Sequence, residues 1–98
     1  MAEIDELRKA ILDLHGCDSR HLGSVRIKET FQHLTWDGIV EIFFVINHPE
    51  AKEVYAWRNT ADNETTTILA ISPVESASDA VRAYLASQFQ KKNYYKNT

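Results

Sequence analysis

The sequence predicts an α+β domain with the order helix, four strands, helix, in which a mainly antiparallel four-stranded sheet carries both helices on one face. Three observations predict this fold. Apolar residues recur at helical spacing near the two ends of the chain. Between the ends, four segments rich in β-branched and aromatic residues are separated by turn residues. The second of these segments is apolar on both of its sides, which is typical of a strand at the centre of a fold.

Length and composition indicate a single domain. The chain has 98 residues, of which 44% are hydrophobic and 26% are charged. We place the domain at residues 1–90 and a flexible basic tail at residues 91–98. The only cysteine, Cys17, cannot form a disulfide within the chain, which favours a reducing, cytoplasmic setting. The first residues do not resemble a signal peptide, and no apolar run is long enough to span a membrane.

The charge of the chain argues against binding to nucleic acid. The formal net charge is −3, whereas affinity for a phosphate backbone comes from clustered lysine and arginine. Three lysines do lie close together near the end of the chain: Lys91, Lys92 and Lys96. Binding to nucleic acid through this tail is therefore the third and least favoured hypothesis.

The first helix is predicted over residues 2–15. Its apolar side chains recur three and four positions apart and form one narrow stripe: Ile4, Leu7, Ile11 and Leu14. Acidic residues in the first turn suit the positive end of the helix dipole. Gly16 follows as a natural stop.

Four strands are predicted in the middle of the chain. Trp36-Asp37-Gly38 has the composition of a turn, so we expect it to join the first two strands as an antiparallel hairpin. His48-Pro49 ends the second strand, because proline cannot donate to a strand ladder, and His48 is predicted to have a structural role in that turn. The predicted strands are residues 24–31, 39–46, 54–58 and 65–72.

The second helix is predicted from a cap at Ser76 to about Gln90. Asp79 lies three residues after Ser76, which is the spacing of a capping box. The apolar face of this helix comprises Ala80, Val81, Tyr84, Leu85 and Phe89.

The two sides of the second strand lead to a prediction about assembly. One side carries Val40, Ile42, Phe44 and Ile46, and the other carries Ile39, Glu41, Phe43 and Val45. Two helices can cover only one face of such a sheet, so we expect the face with Glu41 to be partly open. An apolar patch of this kind predicts a homodimer that stacks two sheets or extends one through an edge strand. The candidate interface residues are Trp36, Ile39, Glu41, Phe43 and Val45.

Two alternatives for that face remain open, namely cover by the chain's own loops and tail, or a groove for a ligand. Glu41 itself is predicted to pair across strands with Arg26, Lys28 or Arg58 rather than to act as a catalytic acid. Trp57 is predicted to lie in the core, and Trp36 to pack over the end of the sheet.

His15, Cys17 and His21 form the only local cluster of residues that suit zinc. Asp18, His33 or His48 could complete a tetrahedron, but the spacing matches none of the strong zinc signatures. We therefore predict no metal site, no cofactor and no catalytic residue, and keep these three residues as the metal candidates. The structural alternative is a helix end at His15 followed by a small buried thiol at Cys17.

Several short elements are distributed along the chain: Leu14-His15-Gly16-Cys17 with His21, Trp36-Asp37-Gly38, His48-Pro49 with Ala51-Lys52, Tyr55-Ala56-Trp57, and Pro73-Val74-Glu75-Ser76. Together these elements resemble a group of small bacterial hypothetical proteins of unknown function. The resemblance implies a bacterial origin and carries no activity, cofactor or site residue.

The functional hypothesis is a small non-enzymatic interaction or regulatory module that forms a homodimer through its sheet. The alternative is a small-molecule or metal-binding protein, possibly an enzyme, that uses the region of His15, Cys17 and His21.

Overall fold

The computed structural model describes residues 2–59 and 63–96, with side chains for residues 3–59 and 63–90. The predicted order of a helix, four strands and a helix is confirmed, and so is the α+β class. The elements are α1 (Ala2–His15), β1 (Ser19–Phe31), β2 (Leu34–Val45), β3 (Glu53–Arg58), β4 (Thr65–Leu69) and α2 (Ala77–Lys96).

The four strands form one antiparallel sheet in the order β1, β2, β3, β4. The long hairpin of β1 and β2 runs from the pair of Ser19 and Val45 to the pair of Phe31 and Leu34. Its turn is therefore Gln32 and His33, and the prediction of a turn at Trp36-Asp37-Gly38 is wrong. Gln32 has a φ of 55°, a left-handed conformation that such a tight connection uses.

Gly38 has a different role from the one its sequence context suggests. It lies inside β2, directly opposite Ile27. A Cβ atom at this position would lie 3.0 Å from the Trp36 ring. The glycine therefore makes room for the indole on the surface of the strand, rather than for a change of chain direction.

The two helices lie on opposite faces of the sheet, so the prediction that both pack on one face is wrong. We call these the α1 face and the α2 face. On the α1 face, a buried cluster joins the helix to β2 and β3 and includes Leu7, Ile11, Phe43, Val45, Val54 and Ala56. On the α2 face, a second cluster includes Ile27, Val40, Tyr55, Trp57, Ala80, Val81 and Leu85. The predicted division of the side chains of β2 is confirmed for Val40 and Ile42 on the α2 face and for Phe43 and Val45 on the α1 face. Ile46, predicted on the side of Val40, lies after the end of β2.

The reason for this arrangement lies in β2, which is apolar on both sides. Burial of each side is favourable, and one helix on each face covers the central part of the strand within a single chain. Ile39 and Phe44 stay 47% and 41% exposed. Phe43 is completely buried and Val45 is 3% exposed. The expectation that these two residues form an open dimer surface is therefore wrong.

Part of the α1 face does remain open beyond the end of the helix. It is formed by alternate residues at the turn end of the β1 and β2 hairpin, and all but one of them are polar: Arg26, Lys28, Thr30, Thr35, Asp37 and Ile39. Ile39, at 47% exposure, is the exception. The open surface is thus an ordinary solvated surface, which needs no partner to cover it.

The predicted capping of the second helix is confirmed. The Ser76 hydroxyl accepts a hydrogen bond from the backbone N–H of Asp79 at 3.1 Å, and the Asp79 carboxylate accepts one from the N–H of Glu75 at 3.0 Å. The end of the helix differs from the prediction, because α2 continues past Gln90 to Lys96. Most of the predicted tail belongs to this helix, and residues 97–98 lie outside the described residues.

Candidate functional site

The three metal candidates of the sequence have separate partners in the structure. His15 Nε2 lies 2.7 Å from the hydroxyl of Thr67, and the Cys17 thiol lies 3.5 Å from the carbonyl oxygen of His15. His21 Nε2 lies 2.7 Å from a carboxylate oxygen of Glu41. In the part of the chain that the structure describes, no group of three or more His, Cys, Asp or Glu side chains could hold a metal ion. The three residues do not form one site.

His15 is instead a neighbour of His48. Partial burial lowers the pKa of His15 below its usual value of 6.5, and the charge of His48 lowers this pKa further. The folded chain therefore favours the neutral form of His15.

This shift predicts that the protein loses stability as the pH falls through 6.5 towards the lower pKa of folded His15. In that window the unfolded chain binds the proton more readily than the folded chain, so acidification favours unfolding. Urea denaturation of the native protein and of a His15→Gln variant at a series of pH values measures the effect. The native protein should show the steeper fall in unfolding free energy. Parallel curves would contradict the prediction, because every other titrating group is common to both proteins.

His48 has a structural role in the loop between β2 and β3, in agreement with the sequence interpretation. Its Nδ1 atom accepts hydrogen bonds from the backbone N–H groups of Glu50, at 3.0 Å, and Ala51, at 2.9 Å. The imidazole thus satisfies two amide groups that the loop leaves without strand partners.

Glu41 is the most enclosed charged side chain in the described structure, with 7% of the residue exposed. One of its carboxylate oxygens accepts hydrogen bonds from His21 Nε2 and from the Ser24 hydroxyl, which lies in close contact. The His21 ring also packs against Phe43, with 5.1 Å between ring centroids. A histidine and a serine on the adjacent strand therefore hold this buried carboxylate.

The cationic partners predicted for Glu41 are engaged elsewhere or point to solvent. Arg26 pairs with Asp37 at 3.2 Å, and Arg58 pairs closely with Glu6 of α1. The prediction of a cross-strand arginine or lysine is therefore wrong, although the prediction of a cross-strand partner holds, because Ser24 lies directly opposite Glu41.

A β-bulge explains how two residues three positions apart reach the same carboxylate. The register of β1 against β2 shifts between His21 and Gly23, with Leu22 as the additional residue. In a regular strand, residues 21 and 24 would point to opposite faces. The sequence signal for this bulge is Gly23, an isolated glycine inside a strand, which the sequence interpretation did not use.

The order of the three groups limits the chemistry that they can perform. An ionised carboxylate only accepts hydrogen bonds, so the Ser24 hydroxyl and His21 Nε2–H both donate to Glu41. In a Ser-His-Asp triad the imidazole lies between the hydroxyl and the carboxylate and removes the hydroxyl proton. Here the carboxylate lies in the middle, so His21 does not activate Ser24. The arrangement orients an imidazole and leaves its Nδ1 atom without a described protein partner.

His21 also lines an open groove of about 360 Å³ between the start of α1 and the start of β1. Its charged lining is balanced, with two arginines and two aspartates: Asp5, Arg8, Asp18 and Arg20. Arg8 is already bound to Asp18 at 3.3 Å and to the carbonyl oxygen of Ser19 at 3.1 Å. The groove therefore has no dominant charge to select a ligand. Of the three residues in the small-molecule hypothesis, His15, Cys17 and His21, only His21 lines this groove.

The predicted interface residues are mostly occupied within the chain. The Trp36 ring is partly buried against Trp57, with 5.2 Å between ring centroids. Trp57 lies in the core, as predicted, and its indole N–H donates to Asn59 at 3.1 Å. Of the five candidate interface residues, Ile39 alone is exposed.

The outer edge of β1 is the remaining candidate surface. β1 is a 13-residue strand at one edge of the sheet, and β4, at the other edge, has 5 residues. Within the described residues, no strand pairs with the outer side of β1. An unpaired row of backbone N–H and C=O groups is a template for another strand. The bulge interrupts this row near its beginning, whereas Gly23 to Phe31 pair with β2 without a shift.

No protein-family model, curated protein or solved structure matches this chain. The resemblance to small bacterial proteins therefore stays a prediction. Neither helix of the described structure combines the length and the apolar character needed to cross a bilayer.

Proposed function

We propose that this chain is a non-enzymatic interaction module that works as a homodimer, with β1 of one copy pairing with β1 of the other. The observation that carries the proposal is the length of β1 at an open edge of the sheet. In an antiparallel ladder, alternate residues direct their N–H and C=O groups to the same side. The regular segment from Gly23 to Phe31 thus offers roughly four residues for pairing with a second strand.

The arrangement of the helices favours pairing at the edge over stacking of two sheets. Each face of the sheet carries one helix, and the open part of the α1 face is mostly polar. A stacked dimer would have to remove those polar and charged side chains from water, which is unfavourable. Pairing at the edge leaves them in water and satisfies backbone groups instead.

Natural edge strands commonly carry features that prevent pairing, and β1 has two of them. One is the bulge at Leu22, and the other is the pair of exposed cationic side chains of Arg26 and Lys28. Both features restrict which strands can pair with β1, and in which register. A partner must begin beyond the bulge and must avoid placing a cation opposite either side chain.

Light scattering of the purified full chain tests the proposal. We expect a particle of twice the mass of the single chain at high micromolar concentration, with dissociation on dilution, because a homodimer is governed by mass action. A particle of single-chain mass throughout the micromolar range would overturn it.

A further inference from the structure

We propose that the two β1 strands pair about a twofold axis at Val25, so that Ser24 of one copy lies opposite Arg26 of the other. This inference rests on the proposed function. It adds the register of the interface, which follows from symmetry and from the charges along the strand.

Symmetry restricts the possible registers to a short series. In an antiparallel pair of identical strands, directly opposite residues share a face, so one residue of each strand lies on the twofold axis. The regular segment runs from Gly23 to Phe31. A paired stretch of about five residues, the usual strand length, requires an axis at one of the positions 25 to 29.

Two of these five registers place a cation opposite itself. An axis at Arg26 brings the two Arg26 side chains together, and an axis at Lys28 does the same for the two lysines. An axis at Ile27 places Arg26 opposite Lys28, which again brings two cations together. Like charges directly opposite each other destabilise a pair of strands.

An axis at Glu29 also brings two like charges together, because the two glutamates then lie opposite each other. Arg82 of α2 lies at the limit of an ion pair with Glu29, 4.0 Å from its carboxylate, and offsets this repulsion only in part. An axis at Val25 leaves no like charges opposed. It pairs Val25 with itself, Gly23 with Ile27, and Ser24 with Arg26. The aliphatic pair at the axis also suits a strand, since β-branched side chains pack well across a ladder.

The favoured register also complements the buried carboxylate. Ser24 lies directly opposite Glu41 in β2 and donates its hydroxyl proton to that carboxylate. The added strand would extend this row, so that Arg26 of the second copy, Ser24 and Glu41 lie side by side on the α1 face. The lone pairs of the Ser24 hydroxyl remain able to accept a hydrogen bond from the guanidinium. The arginine then approaches a carboxylate whose partners from β1 of its own copy are His21 and Ser24.

Disulfide cross-linking of exposed cysteine variants tests the register. Ser24→Cys and Arg26→Cys are each made in a Cys17→Ala background, so that only the introduced thiols react. Both positions are exposed, and Arg26 has 73% of its side chain in water, so an introduced thiol is accessible at either one. Ser24→Cys keeps a weaker donor to Glu41, and Cys17→Ala removes one sulfur atom from the buried cluster on the α1 face, so the fold of each variant is checked first. Circular dichroism confirms that each variant is folded, and light scattering confirms that each is dimeric.

Under mild oxidation, a mixture of the two variants should form the covalent dimer at least about fivefold faster than either variant alone. Positions 24 and 26 are opposite in the proposed register, whereas identical positions are diagonal neighbours, beyond the usual reach of a disulfide. Fast cross-linking of Arg26→Cys alone would place the twofold axis at residue 26. That result would overturn the proposed register, although the two β1 strands would still pair through their outer edges. A dimer that cross-links in none of these combinations would overturn both the register and pairing through this edge. A monomer by light scattering would instead overturn the proposed function.

Discussion

Replacement of Phe43 by alanine is expected to lower the free energy of unfolding by about 3–5 kcal/mol. Phe43 has no exposed surface and packs beneath α1 with Leu7 and Ile11. The substitution removes a buried aromatic ring and leaves a cavity that the surrounding strands and helix can fill only in part. Because all of these contacts lie within one chain, the loss should be the same at low and high protein concentration.

Ile39→Ala is the matched control for this prediction. Ile39 lies on the same strand and the same face as Phe43 but is 47% exposed. Its replacement should change the stability by less than about 1 kcal/mol. Urea denaturation followed by tryptophan fluorescence, at two protein concentrations, measures both variants. If the two variants lost similar stability and the loss depended on concentration, this face would be an interface between chains.

The order of the elements was predictable because it depends on local patterns. The stripe of Ile4, Leu7 and Ile11 and the nearly continuous apolar run of β2 are both visible within a dozen residues. The cap at Ser76 is more local still, since its partners lie within four positions. Each of these patterns leads to one element, and each of those elements is present.

The placement of the helices could not be obtained in the same way. An apolar stripe shows that a helix is buried against something, but it does not show which face of a sheet it covers. The pattern of β2 did contain a relevant signal, because both of its sides are apolar. Assigning one helix to each side satisfies that pattern within one chain, whereas assigning both helices to one side required a partner.

The site around Glu41 was missed for a different reason. Pairing rules for a regular strand place a cation such as Arg26 or Lys28 near the carboxylate. The bulge at Leu22 breaks that regularity and brings His21 and Ser24 to the same face. A single glycine, Gly23, is the only local sign of the bulge, and the two contacts that depend on it join residues 20 and 17 positions apart.

Replacement of Glu41 by alanine is expected to lower the free energy of unfolding by about 1–3 kcal/mol. The carboxylate accepts hydrogen bonds from His21 and Ser24 in a nearly closed environment. Without it, both donors lose a charged acceptor, and water replaces that acceptor only in part. Glu41→Gln keeps an acceptor oxygen of the same shape, so the glutamine variant should lose less stability than the alanine variant. A glutamine variant as unstable as the alanine variant would mean that the negative charge itself, rather than the acceptor, provides the stability.

A double-mutant cycle separates the contact with His21 from the general cost of changing Glu41. The His21→Ala and Glu41→Ala changes should show a coupling of about 1–2 kcal/mol, because each removes the same hydrogen bond. The matched cycle of Arg26→Ala with Glu41→Ala should show a coupling near zero, because Arg26 pairs with Asp37 instead. The sequence pattern predicts the opposite result, with the larger coupling energy between Arg26 and Glu41. Measured in the monomer at low concentration, the two couplings decide which residue of β1 holds the buried carboxylate. At concentrations where the dimer forms, a gain in the coupling with Arg26 is expected, since Arg26 of the second copy then lies beside Ser24.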